Sequence, residues 1–293
     1  MTDHEPSAPT GFVRRSRRLS DQETEERMLQ AAVSMVNRTG LTVSLDHISF
    51  EDVIRNADVS RSAVYRRWPY KDLFFSDLVK QLAKDASTTI LSDETESMRR
   101  IVGEHLDWLE TPELRVGLTS EILRQITLSD FMALHGSADW RTYIALQATF
   151  MSLADGDLRD QVQVALAEAA QARTVWIAKV WEQMTGLFGY RLRPELGATF
   201  ETTAKLLMAI LHGLVLMGLS TPDIADDRIK ARPPGAATKE EWSLAAIGFA
   251  SISMMFLEPD PTIEWNDERL ALIREALTSW TPPASGDAAV DQE

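Results

Sequence analysis

Residues 49–74 read Ser-Phe-Glu-Asp-Val-Ile-Arg-Asn-Ala-Asp-Val-Ser-Arg-Ser-Ala-Val-Tyr-Arg-Arg-Trp-Pro-Tyr-Lys-Asp-Leu-Phe, a pattern of two short helices separated by a tight turn. Phe50, Val53, Ile54 and Ala57 fall at i, i+3, i+4 and i+7, the stripe of a helix with one buried face, and Ser49 stands at its N-cap. Asp58-Val59-Ser60 breaks the period. Ser60 can cap a second short helix, Arg61–Trp68, which Pro69 stops because proline disfavours helical geometry in the residue before it. Two short helices across a tight turn need small or apolar residues where they cross, here Val53, Ala57, Val59 and Val64. Arg61, Ser62, Tyr65 and Arg66 are then left facing outward. This is the helix-turn-helix pattern, in which arginine donates bidentately to guanine and tyrosine or lysine holds phosphate. An Arg- and Tyr-rich short helix also serves as an ordinary solvated face, and spacing alone leaves both readings open.

Helical periodicity continues on both sides. Asp21–Arg38 carries Met28, Leu29, Ala32, Met35 and Val36 on one face, with Gly40 past its end. Lys71–Lys84 directs Leu73, Phe74, Leu78 and Leu82 inward. Longer helices are expected at about 95–110, 112–130, 137–153, 157–187, 195–219, 239–257 and 264–279. Thr221–Thr238, with three Pro and a Gly, reads as a long loop. No sustained alternating run predicts strands, and no internal repeat is present. The expected class is all-α: an N-terminal three-helix domain with the helix-turn-helix, plus a larger helical body. The expected organisation is a flexible basic arm (1–20), the helix-turn-helix domain (21–84), the body (85–280) and a disordered tail (281–293).

Composition bounds the function. Of 293 residues, 44% are hydrophobic and 25% charged, a globular ratio. The absence of cysteine excludes disulfides, thiolate metal sites and a cysteine nucleophile, and fits a reducing, cytoplasmic setting. The polar start, MTDHEPSAPT, does not resemble a secretory signal. The longest apolar runs, Leu206–Leu219 and Ala245–Leu257, would span about 20 Å against a hydrocarbon core of about 30 Å, so no membrane partner is expected. Net charge is −14, yet residues 1–80 carry 12 basic and 12 acidic residues, so the whole surplus lies beyond residue 80. Arg14, Arg15, Arg17, Arg18, Arg61, Arg66, Arg67 and Lys71 gather in the first part, which suggests two tasks in one chain.

Val59–Phe74 resembles the signature of the TetR-type (tetracycline-repressor-like, TetR/AcrR) regulators: Val-Ser, a variable pair, a small apolar pair, Tyr, a basic pair, an aromatic, Pro-x-Lys, an acid and Leu-Phe. The resemblance covers roughly residues 21–84; the rest is similar only in being helical. Asp58 stands where the family prefers Gly, Ile54 replaces the usual Ala, Trp68 the commoner Phe, and Tyr70 the usual Ser; Val43–His47 lengthens the link to the second helix. The resemblance implies that Arg61 and Ser62 face bases or phosphates, that Tyr65, Arg66 and Arg67 contact the duplex, and that Lys71 holds phosphate at the start of the fourth helix. Trp68, four residues after Val64, belongs to the core. The arm residues Arg14, Arg15, Arg17 and Arg18 would enter a minor groove or add non-specific attraction.

For the body, the resemblance implies ligand sensing and homodimerisation. Trp108, Trp140, Phe150, Trp176 and Trp181 offer apolar walls, Met184 and Met208 adaptable ones, and His105 and His212 sit on apolar stripes. Aromatics at helical spacing are also ordinary core. The helices around Leu206–Leu219 and Ala245–Leu257 would form the dimer seam, with Gly213, Gly218 and Gly248 allowing close approach. No metal, cofactor or catalytic residue is expected: the five histidines form no i, i+4 pair, and no HExxH, GxGxxG or phosphate loop occurs. The resulting expectation is a cytoplasmic, nucleoid-associated homodimeric repressor, bound to palindromic double-stranded operator DNA and released by a small apolar or amphipathic effector. The alternative is an interaction module on a helix-turn-helix scaffold without specific DNA binding.

Overall fold

A computed structural model describes residues 19–39, 48–85, 94–232 and 238–279. Hydroxyl caps fix where its helices begin. Ser49 Oγ accepts from the Asp52 N–H at 3.3 Å, starting α2 (Phe50–Asn56), and Ser60 Oγ from Ala63 at 3.3 Å, starting α3 (Arg61–Arg67). Thr111, Ser137, Thr199 and Ser243 cap α6 (Pro112–Gly136), α7 (Ala138–Ser152), α9 (Phe200–Ser220) and α11 (Leu244–Phe256) in the same way. The other helices are α1 (Asp21–Thr39), α4 (Lys71–Asp85), α5 (Glu94–Glu104), α8 (Asp157–Leu187), the single turn α10 (Asp223–Asp226) and α12 (Asp267–Ser279). The chain is all-α in class, as expected.

Two departures concern strands. Tyr190–Leu192 (β1) pairs antiparallel with Leu257–Pro259 (β4), and Arg228–Ala231 (β2) with Glu240–Ser243 (β3). The stretch read as a long loop therefore holds a helical turn and one arm of a hairpin, and the helix expected from 239 starts at Leu244. Strands of three or four residues are too short for an alternating pattern, and β2 is mostly exposed on both faces. Trp242 on β3, 1% exposed, packs with Ala246 and Ala250 of α11. A third departure concerns α9. It starts at Phe200 rather than at 195, where Pro194–Leu196 form a separate short turn, and Phe200–Ser220 is long and apolar enough to cross a membrane by length and composition alone. Here Thr203, Leu207, Leu211 and Val215 bury one side of it inside the bundle.

Around the turn between α2 and α3, Phe50, Val53, Ile54, Ala57 and Val64 are buried, and Trp68 has no exposed surface. Asp58 takes a left-handed conformation (φ 51°), the geometry that glycine would adopt there more easily. Met28, Ala32 and Val36 of α1 and Phe74, Leu78 and Leu82 of α4 close this core. Leu73 does not: it is 49% exposed, and Val79 and Ala83 are buried on α4 instead. The core also continues into the body through Leu146 of α7 and Val162, Ala165 and Leu166 of α8. With 31 residues, about 46 Å at the usual rise, α8 runs from this junction deep into the body.

Candidate nucleic-acid interface and ligand cavity

The outward face of α3 carries the expected residues, but its cations are not bare. Arg61 Nη2 lies 2.7 Å from Glu51 Oε2, and the Tyr65 hydroxyl donates to Glu51 Oε1 at 3.0 Å. That hydrogen bond to a carboxylate is the main reason the Tyr65 phenol is held above its ordinary pKa. The Tyr65 ring meets Phe50 edge-on at 5.8 Å between centroids. Ser62 is exposed, 3.4 Å from Ser60 through their hydroxyls. Arg66 pairs with Asp21 at the start of α1.

Arg67, also exposed, is held by two carboxylates. Its Nε and Nη2 reach the Glu25 carboxylate at 3.0 and 3.3 Å, Nη2 lies 3.4 Å from Asp77 Oδ2, and the guanidinium stacks on Trp68 at 5.2 Å. The bond to Glu25 holds its pKa above the usual value. Arg67 therefore ties α1, α3 and α4 together. Lys71, exposed in the first turn of α4, makes no ion pair among the described residues. Arg14, Arg15, Arg17 and Arg18 lie outside the described residues, as does the Val43–His47 insertion. The sequence reading missed Asp21, Glu25, Glu51 and Asp77 because each partner comes from another helix, with no periodic signal to connect them.

In the body, α6, α8, α9 and α11 line most of a partly open cavity of about 160 Å³. That is close to the size of an engineered cavity of about 150 Å³ that admits benzene. Trp176, Trp181, Met184 and Met208 line it, as expected. His212 lines it too, with its ring 4.2 Å from Trp140 and 6.4 Å from Tyr143 between centroids. Burial, and then the charge of Arg173, depress the His212 pKa to about 4, so the imidazole is neutral at neutral pH. Arg173, also in the lining, stacks its guanidinium on Tyr143 at 4.9 Å. Asp130 of α6, Tyr190 of β1 and Phe249 and Ser253 of α11 add to a wall the sequence did not suggest, because these three elements lie far apart in the chain.

The remaining pocket candidates lie elsewhere. His105 Nδ1 sits 2.9 Å from the Ile101 carbonyl, and its ring meets Trp108 edge-on at 4.4 Å. Phe150 packs against the junction core beneath Arg159, 4.7 Å away. Trp140 is buried behind His212 rather than on the cavity wall. Among the described residues, no group of three His, Asp or Glu side chains is placed to hold a metal.

The outer faces of the two apolar helices stay exposed. Leu206, Leu216 and Met217 of α9 and Met254 and Met255 of α11 are open to solvent, while Leu207, Leu211 and Phe249 on the inner sides are buried. Of the three glycines expected at the seam, two pack against side chains of this same chain. A Cβ on Gly248 would meet Ile210 Cγ2 at 2.8 Å, and one on Gly218 would meet His135 at 3.3 Å; Gly213 alone of the three opens onto free space.

The fold is thus a mainly helical chain with a helix-turn-helix pair and a cavity-bearing bundle. No family model matches the sequence, and no curated protein does. Among solved structures, a transcriptional regulator of the TetR family from Agrobacterium tumefaciens is a structural neighbour. It is 16% identical and covers 80% of this chain and 96% of its own, with a TM-score of 0.38.

Proposed function

We propose that this chain is a TetR-type DNA-binding transcriptional regulator: a homodimeric, non-enzymatic repressor of the cytoplasm and nucleoid, released from a palindromic operator by a small apolar or amphipathic ligand. In this reading residues 21–84 engage DNA and residues 85–280 sense and dimerise. The observation that carries it is the pairing of α2 and α3. Both helices are capped by serine and cross over a buried apolar seam, and α3 turns Arg61, Ser62, Tyr65 and Arg66 outward. Lys71 adds an exposed ammonium at the start of α4, suited to phosphate.

The cavity supports the sensing half. Its wall is mostly aromatic and aliphatic, and Met184 and Met208 can repack around an occupant. A ligand of about one ring fits without rearrangement, and neutral His212 supplies a hydrogen-bonding group. The exposed apolar stripes on α9 and α11 support dimerisation, since monomers rarely leave such side chains together in water. The carboxylate pairing of Arg61 and Arg66 favours a second reading, a helix-turn-helix that serves as an interaction module.

One experiment separates the two. The full chain is incubated with a pool of random-sequence duplexes, and bound DNA is recovered and sequenced. A regulator enriches a two-fold symmetric sequence; an interaction module enriches none. Ligand release is then read as loss of the enriched duplex when one-ring apolar compounds are added, and linkage requires the duplex to weaken ligand binding equally.

A further inference from the structure

Glu51 stands on the outer side of α2 with 46% of its side chain exposed, and it holds two α3 residues at once. One carboxylate oxygen accepts the Tyr65 hydroxyl at 3.0 Å and the other meets the Arg61 guanidinium at 2.7 Å. Phe50 fixes the Tyr65 ring from a second direction. This fork crosses the turn between the helices, unlike the neighbouring pair of Asp52 and Arg55, which lies within α2 as an ordinary i, i+3 contact.

A carboxylate on a surface that meets phosphate is unfavourable for every duplex, whatever its sequence. It fits a binding face only where it improves discrimination. Arginine carries five N–H donors, so a guanidinium held at one edge keeps the others free for a base or phosphate. Resting on the DNA-reading function above, we propose that Glu51 is a specificity-determining positioning residue. It presents Arg61 and Tyr65 to double-stranded DNA as one pre-ordered pair, while its charge disfavours all duplexes alike, so that only a duplex whose bases engage the pair overcomes the repulsion. A well-placed bidentate arginine contact discriminates strongly between base pairs, and an arginine free to choose among rotamers loses part of that advantage.

The test uses the full chain and four proteins: wild type, Glu51→Gln, Glu51→Asp and Tyr65→Phe. Each is measured against the duplex enriched by the wild type and against a scrambled duplex of the same length. Glu51→Gln removes the charge and is expected to bind the scrambled duplex several-fold more tightly while its preference for the enriched duplex falls about tenfold. Glu51→Asp keeps the charge but shortens the reach, so scrambled binding stays weak and preference is not restored. Tyr65→Phe keeps the ring on Phe50 and loses part of the preference without tightening scrambled binding. A residue with a structural role alone would weaken both duplexes in step when replaced. An unchanged ratio in Glu51→Gln, or parallel weakening of both duplexes, overturns the inference and leaves the DNA-reading function standing. If the wild type enriches no duplex, that function fails and the inference fails with it.

Discussion

The indole N–H of Trp68 donates to Asp77 Oδ2 at 2.9 Å, joining the end of α3 to the middle of α4. Trp68 is fully buried, and Asp77 also receives Lys80 at 3.2 Å and Arg67 at 3.4 Å. Because α4 shares its core with α8, and α8 lines the cavity, this bond lies on the packed route between α3 and the cavity. Asp77→Ala leaves the buried indole N–H without its acceptor and should cost about 1–3 kcal/mol of unfolding free energy. Asp77→Asn keeps an acceptor and should cost clearly less. Urea unfolding of both variants checks this; equal losses would mean the hydrogen bond is not what matters.

Gly248 has no room for a side chain, since a Cβ there would sit 2.8 Å from Ile210 Cγ2. Gly248→Val should push α9 and α11 apart and lower stability by about 1–3 kcal/mol, the usual cost of overpacking. Gly213→Ala, which meets nothing within 4 Å in the monomer, should not lower stability by that route. Thermal melting distinguishes the two positions.

His212 titrates near pH 4 when folded and near 6.5 when unfolded, because burial and then Arg173 oppose its protonation. Between those values the unfolded chain binds a proton that the folded chain does not. The contribution of this site is therefore fully present above about pH 6.5 and is lost as pH falls toward 4, at up to about 1.4 kcal/mol per pH unit. In His212→Gln, the loss of stability between pH 7 and pH 5 should be smaller than in the wild type. Denaturant midpoints at the two pH values measure it, and an unchanged difference would place the His212 pKa near its ordinary value.

A charge on the outer stripes of α9 and α11 should prevent self-association. Met217 and Met255, 52% and 58% exposed, accept a polar side chain in the monomer without disturbing its core. Met217→Glu with Met255→Glu should sediment as a monomer at tens of micromolar and keep its melting profile at high dilution. An obligate helical interface buries on the order of 2,000 Å² or more, so two carboxylates in its centre would not be tolerated. Unaltered dimer sedimentation would move the interface elsewhere.

Lys71 and Arg67 should separate by salt dependence. Lys71→Ala should weaken binding to all duplexes and reduce the slope of log affinity against log salt by about 0.9 for each phosphate that the ammonium neutralises. Arg67→Ala should act on stability, removing the ion pairs with Glu25 and Asp77 and the stacking on Trp68, each worth at most about 1 kcal/mol at such half-exposed positions. A large slope change in Arg67→Ala would show that the residue also meets phosphate.

What the sequence determined by itself was local. Ser49 and Ser60 cap α2 and α3, Pro69 ends α3, and the spacing of Phe50, Val53, Ile54 and Ala57 aims one side of α2 inward; each depends on residues within a turn or two. The tertiary structure decided the rest, because its causes lie far apart in the chain. Arg66 meets a carboxylate 45 residues earlier and Arg67 one 42 residues earlier, so the basic pair that reads as a DNA-facing set also fastens α3 to the first turns of α1. The cavity gathers α6, α8, α9 and α11, which is why Trp176 and Met208 reach it while Trp108 and Phe150, equally aromatic and equally helical in spacing, do not. Periodicity shows which side of a helix is apolar. Only the packing of several helices shows whether that side meets a filled core, a cavity or open water.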